Sequence, residues 1–268
     1  MIRFITGFSG FGGSTVALIE HCKLLSESGY EVFLYGADPW PARYFSNFRY
    51  LSELEYDSDD VLVFHFWELT HRPRCRLCLL YLHEQGLYDL SSRRTSGFDG
   101  FLFVSESQKS FHSKEGLVVP NPMDRLVDLS SHSPPRSNIA GVVGTIQPRK
   151  RQHVSISKAL DDGAYKVRVF GNHVEPYFSE FIAPLLSDPR VEYMGYFPPE
   201  MRMEMYNSFD VLYNFSEDES ACLVTGECEI LGKPVVKSEF LSDYKIATSS
   251  DVLKAWEEVL FGSSDQSH

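Results

Sequence analysis

The sequence predicts an α/β fold that contains two Rossmann-like domains in succession. The chain opens with a strand, a glycine-rich loop and a helix, and several later apolar runs are continuous rather than alternating. A second series of strands and helices then follows a polar, proline-rich stretch. Continuous apolar runs are typical of parallel strands that are covered on both faces, and the alternation of strands with helices is typical of a parallel sheet.

The first domain begins with a strand predicted over residues 2–6. The loop that follows contains Gly10, Gly12 and Gly13, and apolar residues then recur at helical spacing until Gly29. Another strand is predicted over 30–36. This order of strand, tight loop, helix and strand is the unit from which parallel sheets are built.

Further buried strands are predicted in the N-terminal half over residues 60–65, 77–83 and 100–105. Residues 129–137 are polar and rich in serine and proline, which is the strongest linker signal in the chain. We therefore predict an N-terminal domain over residues 1–128.

The second series of elements predicts a C-terminal domain over residues 138–248. The strands are expected at 139–143, 165–170, 191–194, 211–215 and 234–237, and the helices at 152–160, 200–208 and 223–231. Residues 249–268 are expected to form an amphipathic helix around Trp256 and a frayed tail.

Composition narrows the classes of function. The formal net charge of −12 disfavours nucleic acid as a partner, although local clusters of arginine keep it open as a weaker alternative. The sequence contains neither an apolar run long enough to span a membrane nor the pattern of an export signal. Its five cysteines are an odd number, which argues against a disulfide framework. We expect a cytoplasmic protein that acts on small molecules, in an oligomeric state that the sequence leaves open.

The most informative pattern lies around the predicted helix at 223–231. Glu219 precedes this helix, Glu227 lies within it, and Gly232-Lys233-Pro234 follows it. Ligands of open α/β sheets bind where strands end and helices begin, and the free N–H groups of a helix start suit anionic or hydroxyl-bearing groups. Two carboxylates at such a point can accept hydrogen bonds from a polyhydroxylated ligand, and a nucleotide sugar fits that description.

This pattern resembles the signature of the retaining glycosyltransferases of family 4, which have the GT-B fold. The resemblance continues in order along nearly the whole chain, in segments at 10–14, 104–106, 118–124, 142–150, 191–196 and 206–216. It implies two Rossmann-like domains with a cleft between them. It also implies a metal-independent hexosyltransferase that uses a UDP- or GDP-linked sugar as its donor, needs no cofactor, and receives an unidentified acceptor from the N-terminal side.

The resemblance implies roles for individual residues. Lys150 corresponds to the lysine that neutralises the donor diphosphate, Glu219 to the acid that holds the sugar, and His83 to the histidine that faces the sugar; these are the expected catalytic residues. The expected donor-binding residues are Glu227 for the ribose hydroxyls and, for the phosphates and sugar, Lys150, Arg149, Arg151, Ser220, Ala221, Cys222, Leu223, Gly12 and Gly13.

The chain departs from the family pattern at three places inside this expected site. Thr145 stands where the family usually has arginine, Arg151 where it has glycine, and residues 220–222 where it has Gly-Phe-Gly. Arg149 or Arg151 can replace the missing charge, but side chains at 220–222 restrict the close backbone approach that glycine permits. Two alternatives therefore stay open: a non-catalytic nucleotide-sugar binding protein or partner subunit of the same fold, and a nucleotide-sugar epimerase.

Other features have an ordinary structural explanation beside a functional one. The glycine loop lacks the full G-x-G-x-x-G pattern because Thr15 occupies the place of the last glycine, and a tight turn needs glycine in any case. Cys75 and Cys78 form a lone C-x-x-C without a second pair of ligands, so no metal site is predicted. His65, with Trp67 beside it, fits an acceptor site and an ordinary strand end equally well.

Overall fold

The structure is a computed structural model that describes residues 1–8, 10, 12–85, 89–132, 137–217, 219–241 and 246–262. The chain divides into two compact units, Met1–Pro122 with Ala247–His268, and Met123–Ile246. The C-terminal segment, which the sequence separates from both domains, is part of the first unit. Of the predicted tail at 262–268, residues 263–268 lie outside the described residues.

The described residues form the following strands and α-helices. The strands are β1 (Ile2–Thr6), β2 (Val32–Gly36), β3 (Phe48–Tyr50), β4 (Val61–His65), β5 (Leu77–Leu82), β6 (Gly100–Phe103), β7 (Leu117–Val118), β8 (Ile139–Val143), β9 (Lys166–Phe170), β10 (Val191–Gly195), β11 (Val211–Asn214) and β12 (Val235–Lys237). The helices are α1 (Gly13–Glu27), α2 (Glu106–His112), α3 (Gln152–Asp161), α4 (Arg202–Asn207), α5 (Leu223–Ile230) and α6 (Ser249–Phe261).

The first unit is built on a parallel sheet with the strand order β3-β2-β1-β4-β5-β6-β7. The predicted strands β1, β2, β4, β5 and β6 are confirmed, and β1 has the predicted bounds. Strands β3 and β7 and helix α2 were not predicted. They are short, so their residues show no clear periodicity.

The core of the first unit lies on both faces of its sheet. Phe4 and Ile5 are neighbours in β1 and point to opposite faces, and both are fully buried. Phe4 contacts Trp256 of α6, with ring centroids 5.5 Å apart, whereas Ile5 packs with Leu62 and Leu80. Each large apolar side chain buried in this way contributes about 1.5–3 kcal/mol to stability, so α6 is an integral part of this unit.

The second unit is built on a parallel sheet with the order β10-β9-β8-β11-β12. Its strands and α-helices confirm the predicted elements, with ends that shift slightly. The helical segments Phe178–Ile182 and Ala183–Ser187, between β9 and β10, were not predicted. The central strand β8 carries Gly141, where a Cβ atom would stand 2.5 Å from the ring of the buried Phe209. Only glycine lets this ring pack against the strand.

The Gly232-Lys233 pair has a structural role in the second unit. Gly232 ends α5 in the left-handed conformation, with φ of 67°, which glycine adopts without steric cost. The Lys233 side chain is buried, donates a hydrogen bond of 2.7 Å to the carbonyl of Phe209, and lies over the Phe209 ring. Gly232 and Lys233 therefore fix the connection from α5 to β12.

The predicted linker contributes to the second unit. Asp128 accepts a hydrogen bond of 2.9 Å from the backbone of Ser130, and Asn207 of α4 donates one of 2.8 Å to the carbonyl of Ser131. Residues 129–132 are thus held against α4. Residues 133–136 of the linker lie outside the described residues.

Candidate functional site

The strand order of the second sheet reverses between β8 and β11. One connection leaves β8 toward β9 and the other leaves β11 toward β12, on opposite sides. Because these neighbouring strands are parallel, the loops that follow them emerge at the same edge of the sheet, over residues 144–151 and over the described residues 215–217 and 219–222. Such a reversal opens a crevice in which open α/β sheets bind ligands.

Lys150 and Glu219 meet at this crevice. The Lys150 ammonium donates a hydrogen bond to Oε1 of Glu219, and a guanidinium nitrogen of Arg149 lies 3.8 Å from Oε2 of the same carboxylate. The side chain of Glu219 is only 8% exposed and that of Lys150 20%. Water therefore screens this pair less than it screens a surface pair. The loops after β8 and β11 thus place three predicted site residues in one charged cluster.

Two hydrogen bonds to a backbone carbonyl join the loop after β8 to the loop after β11. The backbone N–H of Glu217 donates to the carbonyl of Arg149 across 3.0 Å, and the hydroxyl of Ser216 donates to the same carbonyl across 3.3 Å. The cationic loop and the acidic loop are therefore fixed relative to each other by groups other than their charges.

Arg151 takes a backbone conformation that favours glycine. Its φ of 47° and ψ of 43° are left-handed, which a residue with a Cβ atom adopts at a cost of about 1–2 kcal/mol. The Arg151 guanidinium lies 2.6 Å from a carboxylate oxygen of Glu217. Arg151 therefore pairs with Glu217 rather than joining the cluster of Lys150 and Glu219.

Gln152 is a site residue that the sequence does not reveal. Its side chain is buried, donates a hydrogen bond of 2.8 Å to the carbonyl of Thr145, and accepts one of 3.3 Å from the backbone of Gln147. It therefore braces the loop that carries Arg149 and Lys150. A single glutamine at a helix start has no periodicity or motif that distinguishes it from an exposed one.

Cys222 turns its side chain into the second unit at the start of α5. Its sulfur contacts the amide nitrogen of Asn214 at 2.9 Å and the hydroxyl of Thr225 at 3.1 Å. Burial, together with the nearby charge of Glu219, raises the pKa of the Cys222 thiol to about 11. Ser220 is also buried, whereas Ala221 and Leu223 are half-buried.

Glu227 lies in α5 and is buried. One of its carboxylate oxygens accepts a hydrogen bond from the hydroxyl of Tyr206, and the other lies 3.7 Å from a guanidinium nitrogen of Arg202. Burial raises the pKa of Glu227, and Arg202 and Tyr206 offset only part of this effect. The polar partners of this carboxylate come from α4.

The remaining predicted site residues belong to the first unit. Gly12 is the N-cap of α1 and Gly13 its first residue. His83 follows β5 and is buried, with its ring 4.3 Å from that of Tyr81 and 4.9 Å from that of His65. Burial, and then the neighbouring His65 and His21, hold the pKa of His83 well below its usual range.

The cysteines, including Cys75 and Cys78, are free and buried. Within the described ranges, no group of three or more His, Cys, Asp or Glu residues is arranged to hold a metal ion. None of the helices in the described part of the chain is both long enough and apolar enough to cross a membrane.

Comparison with known proteins gives matches in structure only. No family model matches the chain, and no curated protein matches its sequence. HepE from Anabaena, solved in complex with UDP and glucose, superposes with a TM-score of 0.66 at 14% identity, over 97% of this chain and 90% of HepE. AviGT4, a glycosyltransferase involved in avilamycin A biosynthesis, has a TM-score of 0.64 at 16% identity, over 98% of this chain and 94% of AviGT4.

A third solved structure agrees with these two. Sucrose-phosphate synthase from Thermosynechococcus elongatus has a TM-score of 0.68 at 13% identity, over 97% of this chain and 90% of the synthase. At such low identities the likeness establishes the fold alone. Together with the two parallel sheets, it shows that this chain has the GT-B fold, with two Rossmann-like domains.

Proposed function

We propose that this protein is a glycosyltransferase of the retaining family 4 type, which takes a hexose from a nucleotide-sugar donor held by the second unit. The observation that carries the proposal is the contact between Lys150 and Glu219 at the reversal point of the second sheet. The resemblance in sequence assigns these two residues to the diphosphate and the sugar, and the GT-B fold is one that supports such chemistry.

The cations beside Glu219 suit the leaving group of this reaction. When the bond between sugar and diphosphate breaks, negative charge builds on the diphosphate, and cations already fixed in place stabilise it without reorganisation. Lys150 and Arg149 supply this charge, while Gln152 braces their loop. In this proposal these side chains take the role that a metal ion has in other glycosyltransferases.

Glu219 changes partners when the donor binds. In the free protein its two oxygens face Lys150 and Arg149. The donor diphosphate competes for both cations and leaves the carboxylate to accept hydrogen bonds from hydroxyls of the sugar. A carboxylate accepts more than one hydrogen bond, so Glu219 can orient the ring while Lys150 holds the phosphate.

We assign Glu227 to the ribose of the donor. A buried carboxylate with a raised pKa costs stability, and groups perturbed in this way are concentrated at functional sites. Because HepE was solved with UDP and glucose, UDP-hexoses are the first donors to test, followed by GDP-hexoses. His83 enters the proposal through the resemblance, as the histidine that contacts the sugar.

The proposal is tested by the nucleotide released from a panel of UDP- and GDP-hexoses. We expect Lys150→Met to lower release from the preferred donor by about a hundredfold or more, the size of effect seen when one preorganised electrostatic contact is removed. Lys158→Met is the matched control, because Lys158 lies on α3 of the same unit and pairs with Asp162 at the surface. It should turn over like the wild type.

Three outcomes would overturn the proposal. Equal turnover in Lys150→Met and the wild type would remove this site from the reaction. The absence of a thermal shift in the wild type with every donor would show that no nucleotide sugar binds, since a ligand that binds only the native state raises its melting temperature. Binding without release or transfer would identify a donor-binding protein instead.

A further inference from the structure

A groove opens on the second unit, between the start of α3, the segment that follows β9, and the loop that follows β11. Its volume is about 390 Å³, which lies within the range of small-molecule sites. Arg151 and Glu217 line it, whereas Lys150 and Glu219 are not among its lining residues. The groove is therefore separate from the charged cluster to which the donor is assigned.

Three aromatic rings form one wall of this groove. The ring of Phe181 is 5.1 Å from that of His153 and 5.2 Å from that of Tyr177. Nδ1 of His153 lies 2.7 Å from the hydroxyl oxygen of Tyr177, so a hydrogen bond joins α3 to the segment after β9. Tyr177 is buried, whereas Phe181 is 40% exposed. This aromatic wall is thus fixed at its base and presents a ring to solvent.

Charged side chains surround the aromatic wall. A guanidinium nitrogen of Arg151 lies 2.6 Å from a carboxylate oxygen of Glu217, and the side chain of Glu180 is exposed beside them. Burial, and then the nearby Arg151, lower the pKa of His153, so this ring is neutral at physiological pH. The groove therefore carries one positive and two negative groups, which supply both N–H donors and carboxylate acceptors.

Two unusual backbone segments border the groove. Arg151 is left-handed, with φ of 47°, and strained residues of this kind are concentrated at functional sites. Phe178–Ile182, which carries Glu180 and Phe181, is a turn of π-helix. Such turns are rare and are frequent at functional sites. Both segments place a side chain of the groove, and neither belongs to the sheet.

We infer that this groove binds a neutral saccharide. The C–H face of a sugar ring packs on aromatic side chains, while its hydroxyls donate to carboxylates and accept from a guanidinium. One ligand thus uses the aromatic wall and the charged groups around it together. Such binding goes beyond the proposed transfer reaction and does not require it.

Three other ligand classes fit the groove less well. An anion such as a phosphate would be repelled by Glu180 and would compete with Glu217 for Arg151. An organic cation would meet the guanidinium of Arg151 in the same groove. An apolar ring would pack on the aromatic wall but would remove water from the charged groups without replacing its hydrogen bonds, which is unfavourable.

Saturation-transfer NMR without any donor present tests for this saccharide site. The saccharide probes are maltotriose and methyl β-galactopyranoside, and the other classes are represented by 4-methylphenol, choline and methyl phosphate. We expect at least one saccharide to bind the wild type. Phe181→Ala should bind it about tenfold more weakly, the change expected for the loss of one aromatic contact. Phe181→Trp keeps an aromatic face and should retain binding.

The controls separate this groove from folding and from the donor site. Phe181 is 40% exposed, so Phe181→Ala should melt close to the wild type. Phe111→Ala removes an exposed ring from α2 of the first unit and should bind saccharide as the wild type does. Lys150→Met should do so too, because Lys150 does not line the groove.

Four outcomes would overturn the inference. The first is a wild type that binds no saccharide, and the second is equal saccharide binding by the wild type and Phe181→Ala. The third is binding of 4-methylphenol, choline or methyl phosphate alone. The fourth is loss of saccharide binding in Lys150→Met, which would place the sugar in the donor site. Because no donor is present, the result does not depend on whether Lys150→Met abolishes nucleotide release.

Discussion

The indole N–H of Trp256 donates a buried hydrogen bond of 3.1 Å to Nδ1 of His21, which lies 235 positions earlier in the chain. An indole N–H is only a donor, so Nδ1 must accept and the proton of the neutral His21 ring lies on Nε2. That proton is donated to the hydroxyl of Tyr81 across 2.8 Å, and the Tyr81 hydroxyl donates to the carbonyl of Val119 across 2.6 Å. Helix α6 is therefore bonded to α1, β5 and the end of β7 through one tautomer of one histidine.

Trp256→Phe should lower the free energy of unfolding of the first unit by about 1–3 kcal/mol, because it leaves Nδ1 of His21 buried without a donor. Urea denaturation followed by circular dichroism measures this loss. Trp67→Phe makes the same side-chain change at a half-buried position of the same unit and should cost less. If both substitutions cost the same, the hydrogen bond to His21 contributes nothing beyond packing.

The first unit should lose stability as the pH falls below about 6.5, the usual pKa of histidine. Burial lowers the pKa of His21 and of His65 to about 3, and that of His83 well below its usual range. The unfolded chain therefore binds more protons than the folded one below this pH. The first unit is therefore most stable above about pH 6.5. For every pH unit below this value, each buried histidine lowers the free energy of unfolding by about 1.4 kcal/mol.

The fluorescence of tryptophan reports on this unit alone, because Trp40, Trp67 and Trp256 all belong to it. Urea titrations at pH 8, 7, 6 and 5.5 give the slope of unfolding free energy against pH. His65→Asn should reduce the slope by about one proton. A slope that does not differ between the wild type and His65→Asn would show that His65 is not buried in its neutral form.

The sequence predicts best the strands and helices that have a clear pattern of apolar residues of their own. Strand β8 has the predicted bounds because it is a run of apolar and small residues between Asn138 and Gly144. Strand β1, which contains Arg3, also has the predicted bounds and is followed by Gly7. Strands β3 and β7 are too short to show a pattern. Helix α2 has few apolar residues and depends on Ser105, whose hydroxyl accepts from the backbone of Gln108 as an N-cap.

The sequence predicts those residues of the candidate site that directly follow strands. It does not predict contacts that depend on how helices pack against each other. Lys150 and Glu219 stand after strands of one sheet, so topology alone brings them near each other. The contact of Glu227 with Tyr206 and that of Trp256 with His21 depend on helix packing, which leaves no local pattern in the chain. The left-handed backbone of Arg151 is hidden too, because arginine gives no sign of it.

Glu227→Gln should gain stability relative to the wild type as the pH rises. Burial raises the pKa of Glu227, so the folded state holds its proton more tightly than the unfolded state does. The wild type therefore loses stability from about pH 4.3, the usual pKa of glutamate, up to the raised value. The glutamine variant has no such charge to bury, although it should bind the donor more weakly.

Unfolding of both proteins at pH 5 and pH 8, followed by circular dichroism, measures this difference, and a donor titration measures the affinity. Glu229→Gln is the matched control, because Glu229 lies on the same helix but is half-buried and pairs with Lys237 across 2.8 Å. It should bind the donor as tightly as the wild type does. A stability of Glu227→Gln that falls relative to the wild type between pH 5 and pH 8 would contradict the raised pKa.

Arg151→Gly should be more stable than Arg151→Ala by about 1 kcal/mol or more, because a left-handed residue with a Cβ atom is strained and glycine is not. Both variants lack the guanidinium, so the lost pair with Glu217 cancels between them. That pair is 38% exposed at Arg151 and 62% at Glu217, and such exposed pairs contribute about 0–1 kcal/mol. Arg151→Gly should therefore match or exceed the wild type in urea denaturation.

The order must reverse at Lys158, inside α3, where both backbone dihedrals are helical. Glycine is less stable than alanine in a helix interior by about 1 kcal/mol, so Lys158→Gly should unfold more easily than Lys158→Ala. If alanine is the more stable residue at both positions, Arg151 is not left-handed in solution. A reversal between these two positions would instead show that Arg151 occupies a backbone position suited to glycine, and that its side chain is kept there in spite of the strain.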